Sequence, residues 1–269
     1  MTVTTSLVAL LILLSFMSLI WLISVILRNS SIVDIFWGIA FILLSYAYTN
    51  SVETLGLRQV IVLLAVHSWA LRLSLYLLWR NWNQPEDARY LAMRTKWGAR
   101  WATRSLFVVF WLQGTVAWVV SFPLHLALTS PLTELTTFTG IAGLALFLFG
   151  FLFEVIADWQ LAQFKANPHN KNFVCNQGLW RYTRHPNYFG EAVLWWGLSL
   201  FAITTTSTLW VLLSPALMTV LLLKFSGVVL LEKNLNTSKQ GYGDYKLTTN
   251  AFVPWFPRRA REHDQADVS

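Results

Sequence analysis

Seven apolar runs constrain the fold of this chain more than any other feature of its sequence. A helix needs about 20 apolar residues to cross the hydrocarbon core of a bilayer. The runs cover residues 7–27, 32–48, 59–79, 105–128, 138–164, 189–203 and 209–231. The sixth run is the shortest, so its ability to span depends on where its ends are drawn. The pattern predicts an all-α, polytopic integral membrane protein with about seven transmembrane helices.

Composition excludes a water-soluble fold. Hydrophobic residues make up 55% of the chain, charged residues only 12%, and there are 15 tryptophans. Soluble domains carry about a quarter charged residues. Seven spans and their connections use nearly all of the 269 residues, which leaves no room for a separate soluble domain. We therefore expect residues 1–260 to form one membrane domain and the polar residues 261–269 to be a disordered tail.

The lysines and arginines fall in alternate connections. Residues 80–104 contain six of them, residues 165–188 contain four and the tail after residue 231 contains six, whereas residues 129–137 and 204–208 contain none. The positive-inside rule then predicts an outside N-terminus and a cytoplasmic C-terminus. We expect the bacterial inner membrane as the location. Topology accounts for the net charge of +7, so we predict no nucleic-acid partner.

A polar ribbon, residues 178–191, lies between the fifth and sixth apolar runs and is rich in hydrogen-bonding side chains. Arginine and histidine donors suit phosphate oxygens, and Pro186 disfavours helix at the residue before it. The ribbon therefore predicts a cofactor site at the cytoplasmic membrane surface. Its candidate ligands are Arg181, Arg184, His185, Asn187, Tyr188 and Glu191.

Ionisable residues also occur inside the predicted spans, where each is costly unless it is paired or faces water. Glu154 and Asp158 lie four residues apart, on one face of the fifth span with Lys165. Arg72 and Tyr76 share a face of the third span with Arg80, and Asp34 begins the second. We expect one pocket, open to the cytoplasm, to collect these groups and the polar ribbon. The alternative is structural: an ion pair between Asp34 and Arg72, and carboxylates that only join helices.

No metal site is predicted. Cys175 is the single cysteine, so it has no partner for an internal disulfide and no companion thiols for zinc or an iron–sulfur cluster.

The motifs together resemble the steroid 5-alpha-reductase superfamily. The resemblance covers nearly the whole chain and is closest to a poorly characterised, bacterial-type branch. Its elements are residues 154–160 (Glu-Val-Ile-Ala-Asp-Trp-Gln), the polar ribbon, residues 241–245 (Gly-Tyr-Gly-Asp-Tyr), residues 252–257 (Phe-Val-Pro-Trp-Phe-Pro), and the branch motifs at 33–38 and 86–90.

The resemblance implies a seven-helix enzyme that binds NADPH and reduces an activated carbon–carbon double bond in a lipophilic enone or sterol-like substrate. A hydride would reach the β-carbon while a donor polarises the carbonyl. The sequence has no G-x-G-x-x-G fingerprint, so the helices would form the cofactor site without a Rossmann domain. Carried over to this chain, the cofactor residues are Glu154, Asp158, Lys165, Arg181, Arg184, His185, Asn187, Tyr188, Glu191, Glu232 and Tyr245.

The catalytic set differs from that of the steroid reductases. A second-span glutamate and a third-span tyrosine polarise the carbonyl in those enzymes. Here Asp34 falls near the position of the acid and Trp69 near that of the tyrosine. Tyr76, two turns further along the third span, is the remaining phenol on that helix. The predicted catalytic residues are therefore Asp34, Tyr76 and Arg72.

Two other functions fit the same residues. Membrane methyltransferases of the isoprenylcysteine and phospholipid type share the Arg-His-Pro-Asn-Tyr pattern and bind S-adenosylmethionine, although four or five spans would be typical of them. A non-enzymatic, lipid-binding membrane protein could keep the niche as a structural feature. For the reductase we expect a lipophilic small molecule and the bilayer as partners, with no obligate protein partner.

Overall fold

A computed structural model describes residues 3–50, 52–131, 134–225, 232 and 239–258. Across these residues the regular secondary structure is helical, apart from an isolated bridge that pairs Phe173 with Gln240. The predicted all-α class is therefore confirmed. The predicted disordered tail, residues 261–269, lies outside the described residues.

Eleven α-helices lie in the described part of the chain. They are α1 (Val3–Leu27), α2 (Ile32–Thr49), α3 (Leu57–Asn81), α4 (Ala88–Trp97), α5 (Trp101–Ser105), α6 (Leu112–Val120), α7 (Phe122–Thr129), α8 (Phe138–Ala166), α9 (Pro186–Leu200), α10 (Leu213–Val220) and α11 (Tyr242–Thr248). Short 3₁₀ and π segments connect several of them. The π segments are Leu106–Trp111 and Leu221–Phe225.

Six helical stretches in the described residues are long and apolar enough to cross a membrane. They are Val3–Leu27, Ile32–Thr49, Leu57–Asn81, Ala88–Val120, Phe138–Ala166 and Thr206–Lys224. The sixth predicted run, 189–203, coincides with α9, which has 15 residues. Such a helix is about 22 Å long at 1.5 Å per residue, shorter than the hydrocarbon core of about 30 Å. The structure thus supports a membrane protein with six candidate spans.

The fourth span begins and ends earlier than the sequence indicates. Residues 80–104 read as a cationic connection, yet a helix begins at Ala88, where the Asp87 side chain accepts a hydrogen bond of 2.9 Å from the amide of Arg89 and caps it. The predicted end at residue 128 is also displaced. The helix breaks at Ser121, and Pro123 lies in the first turn of α7, where its missing amide donor is tolerated.

The described chain divides into two compact units. Unit 1 comprises Met1–Ile141 and Leu198–Ser214, and unit 2 comprises Ala142–Gly197 and Pro215–Ser269. In unit 1, α2 packs between α1 and α3. Gly38 permits the close approach of α2 to α3, because a Cβ atom there would lie 2.6 Å from the Ala70 carbonyl oxygen.

Arg58 is fully buried in the first turn of α3 within unit 1. Its Nε and Nη2 atoms donate to the Phe201 carbonyl oxygen at 3.2 and 2.7 Å, and Nη1 donates to the Thr137 hydroxyl at 2.7 Å. A buried cation needs such partners to offset its desolvation. Arg58 therefore has an internal, structural role in unit 1.

In unit 2, α8 and α9 cross at glycines. A Cβ atom on Gly190 would lie 2.7 Å from the Gly150 carbonyl oxygen, and one on Gly197 would lie 2.5 Å from the Phe147 amide nitrogen. Small residues let apolar helices approach closely where no hydrophobic effect draws them together. The crossing places the polar residues of α8 against those at the start of α9.

Candidate cofactor site

The polar ribbon begins as a 3₁₀ turn that docks on α8. Gly178 has φ +57°, and a Cβ atom there would overlap the Gln160 side chain. The same side chain accepts a hydrogen bond of 2.9 Å from the Leu179 amide. One residue later the Trp180 indole donates to the Ala157 carbonyl oxygen at 3.0 Å. These contacts fix the first half of the ribbon to the last turns of α8.

The second half of the ribbon holds the C-terminal segment, residues 239–258. The Arg184 amide donates to the Asn250 carbonyl oxygen at 2.9 Å, and the Thr183 hydroxyl donates to that of Phe252 at 2.8 Å. In return, the Tyr245 hydroxyl donates to the Trp180 carbonyl oxygen. Main-chain and side-chain bonds therefore join two parts of unit 2 that are about 65 residues apart in sequence.

Arg184 belongs to this internal connection. Its Nε atom donates to Glu232 at 2.8 Å, and its Nη1 atom donates to the Lys246 carbonyl oxygen at 3.0 Å and to that of Thr249. The side chain is only 8% exposed. Arg184 was predicted from sequence as a phosphate ligand, and in this structure two of its three nitrogens already bind protein groups.

Glu232 accepts from two residues of the ribbon. His185 lies 3.4 Å from the same carboxylate oxygen that Arg184 contacts. Burial by itself would raise the pKa of the Glu232 carboxyl, but hydrogen bonds and charge from His185 and Arg184 outweigh burial and lower the pKa to about 2. The carboxylate therefore stays ionised wherever the protein is folded near neutral pH.

A cavity of about 720 Å³ lies beside the ribbon in unit 2. Its size is within the usual range of about 300–1,000 Å³ for sites that bind cofactors and small molecules. Its walls combine one arginine, several amides and hydroxyls, an aspartate and two phenylalanine rings. The lining residues include Phe164, Asn170, Phe173, Asn176, Gln177, Arg181, Gln240, Asp244, Tyr245, Thr248 and Thr249.

Two of the predicted cofactor residues, Arg181 and Tyr245, line this cavity. Arg181 is exposed, so its guanidinium is available to a ligand. Tyr245 is buried, and burial raises the pKa of its phenol above the ordinary value. The amide groups of the cavity, which come from Asn170, Asn176, Gln177 and Gln240, were not predicted from the sequence, because these residues belong to no recognised motif.

A second group of predicted residues lies along the crossing of α8 and α9. Glu154, Asp158 and Glu191 are buried, at 2%, 6% and 7% exposure. The Asn187 amide donates to the Asp158 carboxylate at 3.1 Å. Because Asn187 and Glu191 are four residues apart on α9, they share one helix face. Three buried carboxyl groups and an amide therefore lie together on these two apolar helices.

The remaining predicted ligands border these groups. Tyr188 stacks on His185, with ring centroids 5.6 Å apart and planes 4° from parallel. Lys165 is exposed in the last turn of α8. All eleven predicted cofactor residues belong to unit 2.

The predicted catalytic residues Asp34, Arg72 and Tyr76 belong to unit 1. Asp34 accepts a hydrogen bond of 2.8 Å from the Tyr90 hydroxyl and one of 3.3 Å from the Arg89 guanidinium. Gln113 in turn donates to the Tyr90 oxygen at 3.0 Å. From sequence, an ion pair with Arg72 was the structural alternative for Asp34, and the bond from Tyr90 was not predicted. The motif at residues 86–90, which contains Tyr90, was the feature of the sequence that could have indicated it.

Next to this pair, acidic residues 86 and 87 lock α4 to the start of α2. Arg94 donates twice to Glu86, at 2.7 and 2.8 Å, and the Ser30 amide donates to the same carboxylate at 2.6 Å. Burial would raise the pKa of the Glu86 carboxyl, but these donors lower it below the ordinary value.

The predicted catalytic residue Tyr76 lies on α3. The Arg80 guanidinium carbon lies over its ring, 5.8 Å from the ring centroid.

The described residues contain no cluster of three or more metal-ligating side chains. Cys175 is buried, and burial raises the pKa of its thiol, so the thiolate that binds metals or attacks electrophiles is disfavoured.

One comparison with known proteins gives a match. The model of a family described as a protein of unknown function, DUF1295, matches residues 20–249. No curated protein matches the chain, and no solved structure does.

Proposed function

This chain belongs to the DUF1295 family, and we propose that it is a membrane-embedded, NADPH-dependent reductase of an activated carbon–carbon double bond in a lipophilic enone or sterol-like substrate. The observation that carries the proposal is the cavity of about 720 Å³ in unit 2. It combines a cation for phosphate, amides and hydroxyls for ribose, and aromatic rings against which a base can stack.

The chemistry of the cavity fits a dinucleotide. Arg181 would bind phosphate oxygens with its fork of donors. Asp244 would accept from ribose hydroxyls, and Phe164 and Phe173 offer ring faces. Bound NADPH would supply the hydride. S-adenosylmethionine carries one carboxylate and no phosphate, whereas NADPH carries three phosphate groups, so an arginine in the wall favours the dinucleotide over the methyl donor.

The buried groups of α8 and α9 would complete the site. The Asp158 carboxylate already orients the Asn187 amide at 3.1 Å, and Glu191 lies on the same face of α9. Buried charge among apolar helices is costly and is retained mainly where it has a function. We propose that this group binds the polar end of the cofactor, while Arg184 maintains the wall of the site through Glu232 and the C-terminal segment.

Asp34 and Tyr90 are our candidates for proton delivery. Reduction of an enone needs a proton at the α-carbon and a donor for the negative charge on the carbonyl oxygen. The Tyr90 hydroxyl donates to Asp34 and accepts from the Gln113 amide. Tyr90 would give its proton to the substrate, and Asp34, reprotonated from solvent, would return a proton to the phenol, while Gln113 only orients it. This assignment replaces Tyr76 by Tyr90 as the phenol that works with Asp34.

Topology belongs to the same proposal. We propose that α9 crosses the membrane as a seventh span, that the N-terminus is outside and that the C-terminus and the polar ribbon face the cytoplasm. The cavity would then open to the cytoplasmic pool of NADPH. The bacterial inner membrane is the proposed location.

A dual-label experiment tests the reaction without a known substrate. The purified protein is incubated with a lipid extract of bacterial membranes, NADPH carrying deuterium on C4 of the nicotinamide, and S-adenosylmethionine with a ¹³C methyl group. Mass spectrometry of the lipids then identifies any product. We expect a saturated product that gains one deuterium and one solvent proton, and Tyr90→Phe to reduce its rate by about 10²-fold or more.

The two labels separate the competing functions. A lipid that carries the ¹³C methyl group and no deuterium would contradict the reductase and establish methyl transfer. Tyr76→Phe is the matched phenol control on α3. If Tyr76→Phe abolishes deuterium transfer and Tyr90→Phe does not, the assignment of Tyr90 is wrong while the reductase stands.

A further inference from the structure

Cations lie close to Trp97 in the N-terminal, cation-rich part of the fourth candidate span, Ala88–Val120, and the proposed reaction does not use them. The Arg104 guanidinium lies over the Trp97 ring, 3.8 Å from its centroid, and the Lys96 ammonium lies 6.0 Å from the same ring. Arg100 precedes α5, four residues before Arg104. We call Lys96, Trp97, Arg100 and Arg104 the basic platform.

The cations of the basic platform have no carboxylate partner within 4 Å in the described part of the chain. The nearby acids are used elsewhere: Glu86 pairs with Arg94 at 2.7 Å, and Asp87 pairs with Arg89 at 2.9 Å. Like charges held close together repel each other. Three exposed cations within nine residues, two of them against the Trp97 ring, therefore favour an external anion.

Apolar surface continues directly from the basic platform. Phe107 and Val108 follow Arg104 by three and four residues, so they lie about one turn further along the span. Both side chains are exposed, at 52% and 42%. A free phosphate would use only the cations. A molecule with a charged head and acyl chains would use the cations and the apolar surface together, and Trp97 suits the interface between them.

We propose that the basic platform binds the headgroup phosphate of an anionic phospholipid, with the acyl chains of that lipid along Phe107 and Val108. Clusters of lysine and arginine at the end of a span attract anionic lipids, at about a five-fold gain in binding for each cation near the surface. The site is separate from the proposed cofactor cavity and does not depend on the reaction.

Native mass spectrometry of the delipidated, purified protein tests the site. Dioleoyl phosphatidylglycerol and dioleoyl phosphatidylcholine share their acyl chains and phosphate but differ in net charge. We expect the wild type to bind phosphatidylglycerol more tightly than phosphatidylcholine. The double variant Arg100→Gln/Arg104→Gln should lose that preference, because each cation removed should weaken the binding of phosphatidylglycerol about five-fold. Lys171→Gln, which removes an exposed cation of unit 2, should keep it.

Two results would overturn the proposal: an equal preference for phosphatidylglycerol in Arg100→Gln/Arg104→Gln and the wild type, or complete displacement of phosphatidylglycerol by an equimolar amount of inorganic phosphate. The second result would identify a free-phosphate site. If the double variant does not fold, Arg104→Gln alone serves, because the Arg104 side chain is exposed and its recorded contact is with Trp97. Arg100→Lys/Arg104→Lys, which keeps both charges, should retain most of the preference.

Discussion

Arg181 and Arg184 are three residues apart in the same ribbon, and their surroundings differ. Arg181 is exposed and lines the cavity, whereas Arg184 is buried and bonds to Glu232 and two carbonyl oxygens. The sequence could not separate them, because both are arginines in one polar motif. Only the course of the C-terminal segment, more than 60 residues later, decides which guanidinium is enclosed.

Replacing these two arginines should therefore have opposite effects. Arg184→Ala leaves the half-buried Glu232 carboxylate without its closest partner, at 2.8 Å, and losing a hydrogen bond to a charged group costs about 1.5–3 kcal/mol. We expect a clear loss of thermal stability in detergent. Arg181→Ala should change stability by less than about 0.5 kcal/mol, as surface substitutions do, and should weaken cofactor binding. Equal stability of the two variants would refute the structural role of Arg184.

Low pH should weaken the contact of Glu232 with Arg184 and His185. Because the folded-state pKa of Glu232 is lowered to about 2, its contribution to stability is complete above the ordinary carboxyl pKa of about 4.3. The contribution is lost as the pH falls from there through about 2. Glu232→Gln should therefore unfold at a lower temperature than the wild type at pH 7, and the difference should shrink below pH 4. A difference that is independent of pH would mean that charge at Glu232 is unimportant.

At the scale of the elements, the apolar pattern of the sequence was sufficient to predict that these elements exist and that they are helices. Four of the seven predicted runs overlap candidate spans with both ends within about four residues of those observed. The seventh run, 209–231, begins three residues after its span does, and its predicted end lies outside the described residues. The fourth run failed at its ends because a polar, cation-rich stretch continues the helix on its N-terminal side. The sixth run overlaps α9, a helix of 15 residues that begins at Pro186 and ends at Leu200, and its crossing of the membrane stays a prediction.

The crossing of α8 and α9 rests on Gly190. A methyl group there would lie 2.7 Å from the Glu154 amide nitrogen and 2.7 Å from the Gly150 carbonyl oxygen. Both are main-chain atoms, so neither can rotate away. We expect Gly190→Ala to destabilise the protein by about 1–3 kcal/mol and to disturb the Asp158–Asn187 bond.

Gly243→Ala is the matched control for this substitution. Gly243 lies inside α11 with nothing within 4 Å of an added methyl group, and alanine favours helix over glycine by about 1 kcal/mol. Thermal unfolding of the two variants should therefore move in opposite directions. If Gly190→Ala is as stable as Gly243→Ala, the close crossing of α8 and α9 is incorrect.

At the scale of the whole molecule, the sequence indicates candidate site residues only as a set. The ribbon motif predicts Arg181, Asn187 and Glu191 as cofactor ligands, which stays a prediction, whereas the cavity amides belong to no recognised motif. Residue contacts such as Asp34 with Tyr90 depend on how α4 packs on α2, which helical periodicity does not specify. The membrane class, in contrast, followed directly from the apolar runs.

Topology provides a test at this scale. Seven spans would place the termini on opposite sides of the membrane, whereas six would place them on the same side. Fusions of green fluorescent protein and of alkaline phosphatase to each terminus report cytoplasmic and periplasmic locations. We expect fluorescence from the C-terminal fusion and phosphatase activity from the N-terminal one. Both termini on one side would show that α9 does not cross.

The central claim is that NADPH binds unit 2. A ligand that binds only the folded protein raises its unfolding temperature, so the most direct measurement is a thermal-shift titration of the purified protein with NADPH, NADH and S-adenosylmethionine. We predict a saturable rise with NADPH that Arg181→Ala reduces and Lys171→Gln leaves unchanged. A rise with S-adenosylmethionine alone, or none with NADPH, would contradict the claim.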